Sequence, residues 1–492
     1  MRKNKLTICF QARPSYDFFS SLLFKNIKKS MIPELNGIFI TSDSKETKDV
    51  RKYLEGESDI AIVEVSEYFK NNWDEFTYDK FVEFEKKYDC APLWKYVYMD
   101  RFLIEADYEY CVKITTGYFL FWEDLFKNGN IDYYYDEAVA TLHTAIAYIV
   151  GCKYGVKYIT QMVGRGEIEA THHFLANDPY LYAMCMDFDY KKMEYNEEQR
   201  IHAQEFLERY ENHDIKASGM KYVDTQPHLE FTYALTLPLR YFHARFGKRF
   251  TNKYFYMYYK QYNLVLNKWI FYFRYKKCKK YYHKADLTKK YVYMALHFQP
   301  EASTIVCAQK YEKQLFFIDS WAKSLPADTL LYIKEHYSNI GHRKEEFYIA
   351  LKEYPNVVLI DPWENSRELI IHAEAVTTLT GSVGWEGMLL RKPVIISGNV
   401  FYENAPGVIK VEDIYQQYLR IMSSWSRPSR EEVIQYLCAI LETMKPGNMY
   451  VQAPEALDEE NMNLLSQSLY TMLTKIEENP DKYGYNKPDI GF

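Results

Sequence analysis

Between Tyr291 and Ser397, five strand-like runs alternate with helix-like ones, and this cadence constrains the fold more than any other feature of the chain. The strands read as Tyr291–Phe298, Thr329–Lys334, Asn356–Ile360, Ala375–Leu379 and Pro393–Ser397, each a short, mainly apolar run. Helical periodicity marks Lys344–Glu353, Ser366–His372 and a stretch ending at Leu390. Buried strands joined by helices make a parallel, Rossmann-like sheet, whose ligands sit where the strands end.

The first half repeats the pattern less clearly. Strand-like runs at Lys5–Phe10, Gly37–Thr41 and Asp59–Val65 are separated by amphipathic stretches, and helices rich in Trp, Tyr and Phe follow Glu67. The expected fold class is therefore α/β in the GT-B arrangement, two Rossmann-like domains facing a cleft. At 492 residues the chain has the length for it. The expected partition is an acceptor-side domain over 1–239, a basic aromatic helical segment over 240–285, a nucleotide-sugar-binding domain over 286–425 and a helical tail over 426–492 packed across the pair.

With 48% apolar and 26% charged residues, the chain is neither mainly disordered nor a many-spanning membrane protein. A net charge of -6 argues against a generic nucleic-acid binder. Its 48 tyrosines fit either AT-rich codon usage or sugar-stacking and interfacial surfaces. Eight dispersed cysteines form no CxxC, so no zinc ribbon or thioredoxin-type site is written here. Neither a signal-peptide core nor an eighteen-residue apolar run is found, and the expected location is cytoplasmic.

Residues 240–285 hold thirteen Lys or Arg and no Asp or Glu, interleaved with aromatics as in KYFYMYYKQY and KWIFYFRYKKCKKYY. This composition suits the anionic inner face of a membrane, with rings at headgroup depth and cations on phosphates. The plainer alternative is a helical hairpin whose aromatics pack onto the body. Nucleic acid would feel the same charges, but no RNA-binding motif surrounds them.

Polar groups gather at the strand ends of the second half. Thr380-Gly381-Ser382-Val-Gly directly precedes a helix, whose free N–H groups can hold a phosphate with Ser382 adding a hydroxyl; otherwise it is a plain turn capped by Ser382. Glu386 is placed on that helix's first turn, where it would accept ribose hydroxyls or favour the dipole. Gln299-Pro300-Glu301-Ala302-Ser303-Thr304 puts an amide, a carboxylate and two hydroxyls on one turn, rigidified by its proline. Lys334-Glu335-His336 offers cations to a phosphate, and Asp361–Ser366 reads as a helix cap or a base contact.

The runs HFQPEAST, YIKEH, NVVLIDPWENSRELI and TGSVGWEGMLLRKPVIISGNVFY resemble the bacterial capsule-polysaccharide biosynthesis proteins. Within them the chain is similar to the β-Kdo glycosyltransferases, marked by QPE and HP motifs. QPE is intact as Gln299, Pro300 and Glu301, whereas Tyr337 follows His336 where HP has proline. The resemblance covers about residues 290–405. It implies a GT-B fold, no metal or other cofactor, and transfer of an acid sugar such as Kdo from CMP-Kdo to a capsule or lipopolysaccharide glycan. It further implies that His336 and Ser382 contact the CMP phosphate, that Gln299 and Glu301 shape the donor site, and that configuration is retained.

Cleaving a glycosyl phosphate requires stabilisation of the departing phosphate, here by His336, Lys334 and the helix end at Ser382. An acidic residue of the facing domain must then deprotonate the acceptor or attack the anomeric carbon. Asp136 and Glu137, at a strand-to-helix junction, are the leading candidates; their alternative role is an acidic helix cap. Glu167 is second, with Arg165 as an acceptor-side clamp. His172 and His173 read as ordinary polar residues, and Asp187-Phe-Asp189 resembles the metal motif of a different transferase fold. Three rival readings stand beside this one: a UDP- or CDP-linked donor, a UDP-sugar 2-epimerase, and a non-catalytic scaffold of polysaccharide assembly.

Overall fold

The computed structural model describes residues 6–13, 16–164, 168, 171–177, 179, 190–212, 231–450 and 453–480. Among the described residues, thirteen strands lie in two sheets. Strands β1 (Leu6–Ala12), β2 (Leu35–Thr41), β3 (Ile60–Glu64), β4 (Tyr133–Glu137), β5 (Lys157–Val163) and β6 (His172–Ala176) belong to the first; β7 (Tyr291–Ala295), β8 (Leu330–Lys334), β9 (Val357–Ile360), β10 (Ala375–Thr378), β11 (Val394–Ile396) and β12 (Val408–Lys410) make the second. β13 (Lys445–Pro446) returns from the tail to the first sheet.

The second sheet is wholly parallel in the order β12-β11-β10-β7-β8-β9. Its inner strands are short apolar runs buried on both faces, and Val292, Ile333, Val376 and Ile395 are fully inaccessible. The chain builds outward from β7 through β8 to β9, then crosses over to β10 and builds the other way. The reversal lies between β7 and β10, and this is where a doubly wound sheet opens a crevice for ligands. β12 is a strand that the sequence reading did not expect, and the five it did expect shorten by one to three residues where turns take over.

The first sheet repeats the design in the order β13-β6-β5-β4-β1-β2-β3, with β6 and β13 antiparallel at its edge. Its reversal falls between β1 and β4. Two α/β domains of reversed-order parallel strands are thus present, as the cadence implies.

The expected boundary at 239/240 falls inside one helix, Phe231–Phe246. The basic segment is also not a detached hairpin. Tyr256 is buried in the first domain's helical core, and Phe255, Tyr275, Cys278 and Tyr281 are buried as well. Arg249 bonds Asp43 at 2.8 Å, and Lys277 reaches Glu345 at 2.5 Å. The plainer alternative, aromatics packed onto the body, is therefore true of its inner face.

The tail spans both domains. Helix Arg430–Thr443 packs on the second domain and on helix Glu197–Glu211, whereas Glu459–Glu478 lies along Tyr16–Ser30 of the first. Arg200 clamps Glu431 through two bonds of 2.6 and 2.7 Å.

Candidate functional site

Glu301, His336 and the Thr380–Ser382 turn meet at the reversal of the second sheet. β7 ends at Ala295, and the next residues carry His297 beneath the turn that follows β10. His297 is 7% exposed, with Nε2 3.0 Å from Thr378 Oγ1 and 3.3 Å from the Thr380 N–H. That N–H must donate, so Nε2 holds the lone pair. Burial pushes this imidazole down to about 3, which keeps it neutral. A Cβ on Gly381 would stand 2.7 Å from Thr378 Oγ1 and 3.3 Å from His297 Cε1, so glycine permits the close approach.

The two turns are tied together directly. Thr380 Oγ1 donates to the Ser303 carbonyl at 2.9 Å, and Ser303 Oγ donates to Glu301 Oε2 at 2.9 Å. The Gln299 amide is bonded to the Glu312 carbonyl, and the Gln299–Pro300 peptide is cis. Glu301 precedes the short helix Ala302–Ile305 as its cap residue without a side-chain cap bond. Gly381, not Ser382, is the cap residue of helix Ser382–Leu389, and Ser382 is its first residue. Capping by the Ser382 hydroxyl is thereby excluded. Glu386 is corrected too: it lies on the second turn, 3.4 Å from the Tyr210 hydroxyl of helix Glu197–Glu211.

His336 follows β8 and is the cap of the turn Tyr337–Asn339, which forms without the proline of HP. Its Nδ1 accepts from Ser338 N–H at 3.2 Å, so the proton of the neutral ring sits on Nε2. Burial lowers its basicity, and the Glu301 carboxylate opposes that shift from across the turn. Lys334 is more committed than the sequence suggests. Its Nζ donates to the Glu364 carbonyl and to Ser366 Oγ, both at 2.6 Å, and burial brings it down to about 8. Asn365 caps the helix that follows, so the cap reading of Asp361–Ser366 fits its geometry.

The reversal of the first sheet carries the acidic pair. Asp136 and Glu137 end β4, and Arg13 stands one residue past β1, its parallel neighbour. The Arg13 guanidinium pairs with Glu137 and lies 3.8 Å from Asp136. Asp136 is buried, accepts from Tyr134 OH at 3.0 Å, and is raised to about 6 by that burial, with Arg13 opposing. Glu137 is far more open, its side chain 36% exposed. Neither residue caps the next helix, because Thr141 does so in a capping box with Thr144.

Arg165 and Glu167 lie outside the described residues, as do Asp187 and Asp189. His173 is buried with Nδ1 2.9 Å from the Gly447 carbonyl, which suits a structural role. No cluster of three metal-ligating side chains occurs among the described residues. The sequence reading missed Arg13, His297 and Tyr210. Arg13 had a signal, since a basic residue directly past the first strand occupies the same position as the strand-end motifs of the second half.

Comparison with known proteins adds to this geometry. Residues 240–432 match the family model described as capsule polysaccharide biosynthesis protein. No curated protein matches the chain. Among solved structures, it is similar to the Thermosulfurimonas dismutans KpsC beta Kdo 2,4 transferase at 14% identity and a TM-score of 0.35, over 67% of this chain and 88% of that one. The KpsC beta Kdo 2,7 transferase of the same organism aligns at 11% identity and 0.33, over 96% and 100%. A UDP-GlcNAc 2-epimerase of Methanocaldococcus jannaschii aligns at 13% and 0.27, over 89% and 99%. Over residues 240–432, where the match and the QPE motif coincide, the chain resembles the capsule polysaccharide biosynthesis proteins.

Proposed function

We propose that this chain is a glycosyltransferase of bacterial surface-polysaccharide synthesis that moves a sugar from a nucleotide donor, CMP-Kdo being the donor of choice, to a capsule or lipopolysaccharide glycan. The observation that carries the reading is the pairing of opposite chemistries at the two sheet reversals. His336 and the helix start at Ser382 sit at one and a carboxylate pair at the other.

The donor phosphate would lie against the start of helix Ser382–Leu389, where unsatisfied N–H groups and Ser382 meet it. His336, whose ring carries its proton on Nε2, donates to the same oxygens and stabilises the charge that grows as the glycosidic bond breaks. Glu137 is the more accessible carboxylate and takes the role of base or nucleophile. Arg13 pairs with Glu137 and orients its carboxylate, with buried Asp136 beside them. No metal is required, because the leaving group is a monophosphate neutralised by these donors.

We further assign the outer face of the basic segment to an anionic membrane surface. Leu235, Leu239, Phe242 and Phe246, each 64–73% exposed, line one stripe of helix Phe231–Phe246 beside Arg240, Arg245 and Lys248. Apolar side chains flanked by cations suit insertion among acidic headgroups.

A metal-free thermal-shift panel of CMP, UMP, CDP, UDP and GDP tests the donor. A CMP-selective rise is expected. A UDP- or CDP-selective rise moves the donor to that nucleotide, and no rise with any of them defeats the transferase reading.

A further inference from the structure

A cavity of about 880 Å³ opens where three parts of the chain meet: residues 101–110 of the first domain, the basic segment, and the loops that follow β7 and β8. Its size falls within the roughly 300–1,000 Å³ of ligand pockets. Gln299 and Pro300 form part of its wall, but Glu301, His336 and Ser382 do not.

The lining chemistry is selective. Three carboxamides of the segment line it, Gln261, Asn263 and Asn267, whereas Gln299 is bonded to the Glu312 carbonyl and Gln314 to both backbone groups of His297. Each of the three segment carboxamides both donates and accepts, as a sugar hydroxyl does. The rings of Tyr110 and Tyr259, 4.9 Å apart, add flat apolar faces of the kind that cover the C–H side of a pyranose.

Charges nearly cancel, which disfavours a nucleotide or phosphate. Lys260 lies 3.7 Å from Asp107, and Arg343 lies 3.2 Å from Glu335. Arg101 stands apart, since its Nε is buried with no hydrogen-bond partner. A buried donor left without an acceptor costs free energy that a bound oxygen would recover. Apolar side chains, among them Ile104, Leu264, Leu266 and Ile270, share the wall with these polar groups.

We propose that this cavity is the acceptor site, an oligosaccharide pocket that delivers the glycan end to the Gln299-Pro300-Glu301 turn. This rests on the transferase reading for its role, though not for its ligand chemistry.

Saturation-transfer NMR with maltotriose and trigalacturonate, one neutral and one acidic trisaccharide, tests it on the full chain. Asn263 is exposed, so Asn263→Trp blocks the cavity without entering a core, and Arg101→Gln removes the unpaired donor. At least one trisaccharide is expected to bind, and both variants should weaken it fivefold or more while the nucleotide thermal shift stays as in the wild type. Binding by neither sugar, or binding unchanged in both variants, overturns the site. Trisaccharide binding without any nucleotide shift would defeat the transferase reading and leave the glycan pocket standing.

Discussion

Two histidines at the second domain's strand ends do different work, and their hydrogen bonds say which. His336 gives its Nδ1 lone pair to Ser338 N–H and so keeps a donor on Nε2. A hydrogen bond from a neutral or protonated ring to a charged phosphate is worth roughly 1.5–3 kcal/mol. His336→Ala is therefore expected to weaken CMP binding about 10- to 100-fold by calorimetry, with the melting temperature of the free protein nearly unchanged. Full affinity in that variant would remove His336 from the site.

His297 instead accepts the Thr380 N–H, and protonation at Nε2 would break that contact. Its folded-state pKa, about 3, lies below the unfolded value of about 6.5. The stability it contributes is thus present above pH 6.5 and lost as pH falls toward 3. Asp136 has the opposite sign. Raised to about 6, it stabilises below about pH 4 and loses that contribution as pH rises through 6, on the order of 1–3 kcal/mol. Denaturant melts from pH 4 to 7 should show Asp136→Asn lacking this decline. A variant curve parallel to that of the wild type would show that Asp136 is already ionised throughout.

At the scale of elements, the strand-end motifs were legible because a parallel sheet announces itself as short apolar runs, each followed by its functional turn. The QPE and Thr380–Ser382 turns could be placed at strand ends, but not the hydrogen bond between Thr380 and Ser303 that joins them. Glu386 lies one position further along its helix than a Ser382 cap would put it, because Gly381 takes the cap position. The basic segment shows the sharper limit. Charge and aromatic content alone do not separate an exposed face from a buried one, and Tyr256 turned out to donate to buried Asp100 at 3.0 Å inside the first domain.

This division decides which lysines a membrane experiment should alter. Lys277 and Lys280 serve Glu345, whereas Lys248, Lys268, Lys276 and Lys279 are exposed and form no ion pair among the described residues. Each lysine near an anionic surface is worth about 1 kcal/mol, so changing all four to Gln should cut liposome partitioning at low salt by roughly a hundredfold or more. The effect should shrink as salt screens the charge. Equal partitioning of variant and wild type would remove the membrane assignment.

At the scale of the molecule, the two domains are joined both by direct contacts and by a tail that crosses them. Gln309 of the second domain donates to the Lys95 carbonyl of the first at 2.9 Å, and Ile305 and Val306 enter the first domain's helical core. The tail then returns to add β13 to the first sheet, a pairing of two residues that no local signal in the sequence could foretell. The final helix closes the first domain's core, with Leu465, Leu469, Met472, Leu473 and Ile476 buried in the cluster that holds Leu23, Phe24 and Ile27. Burying each such side chain contributes roughly 1.5–3 kcal/mol, so together they approach the 5–15 kcal/mol that a whole domain has to spare. A chain ending after Thr443 should therefore lose the cooperative melting of its first domain and bind a hydrophobic dye. The second domain keeps helix Arg430–Thr443 and should still melt as a unit with a CMP-dependent shift. Retention of both transitions at wild-type temperatures would show that the first domain holds itself together without the returning tail.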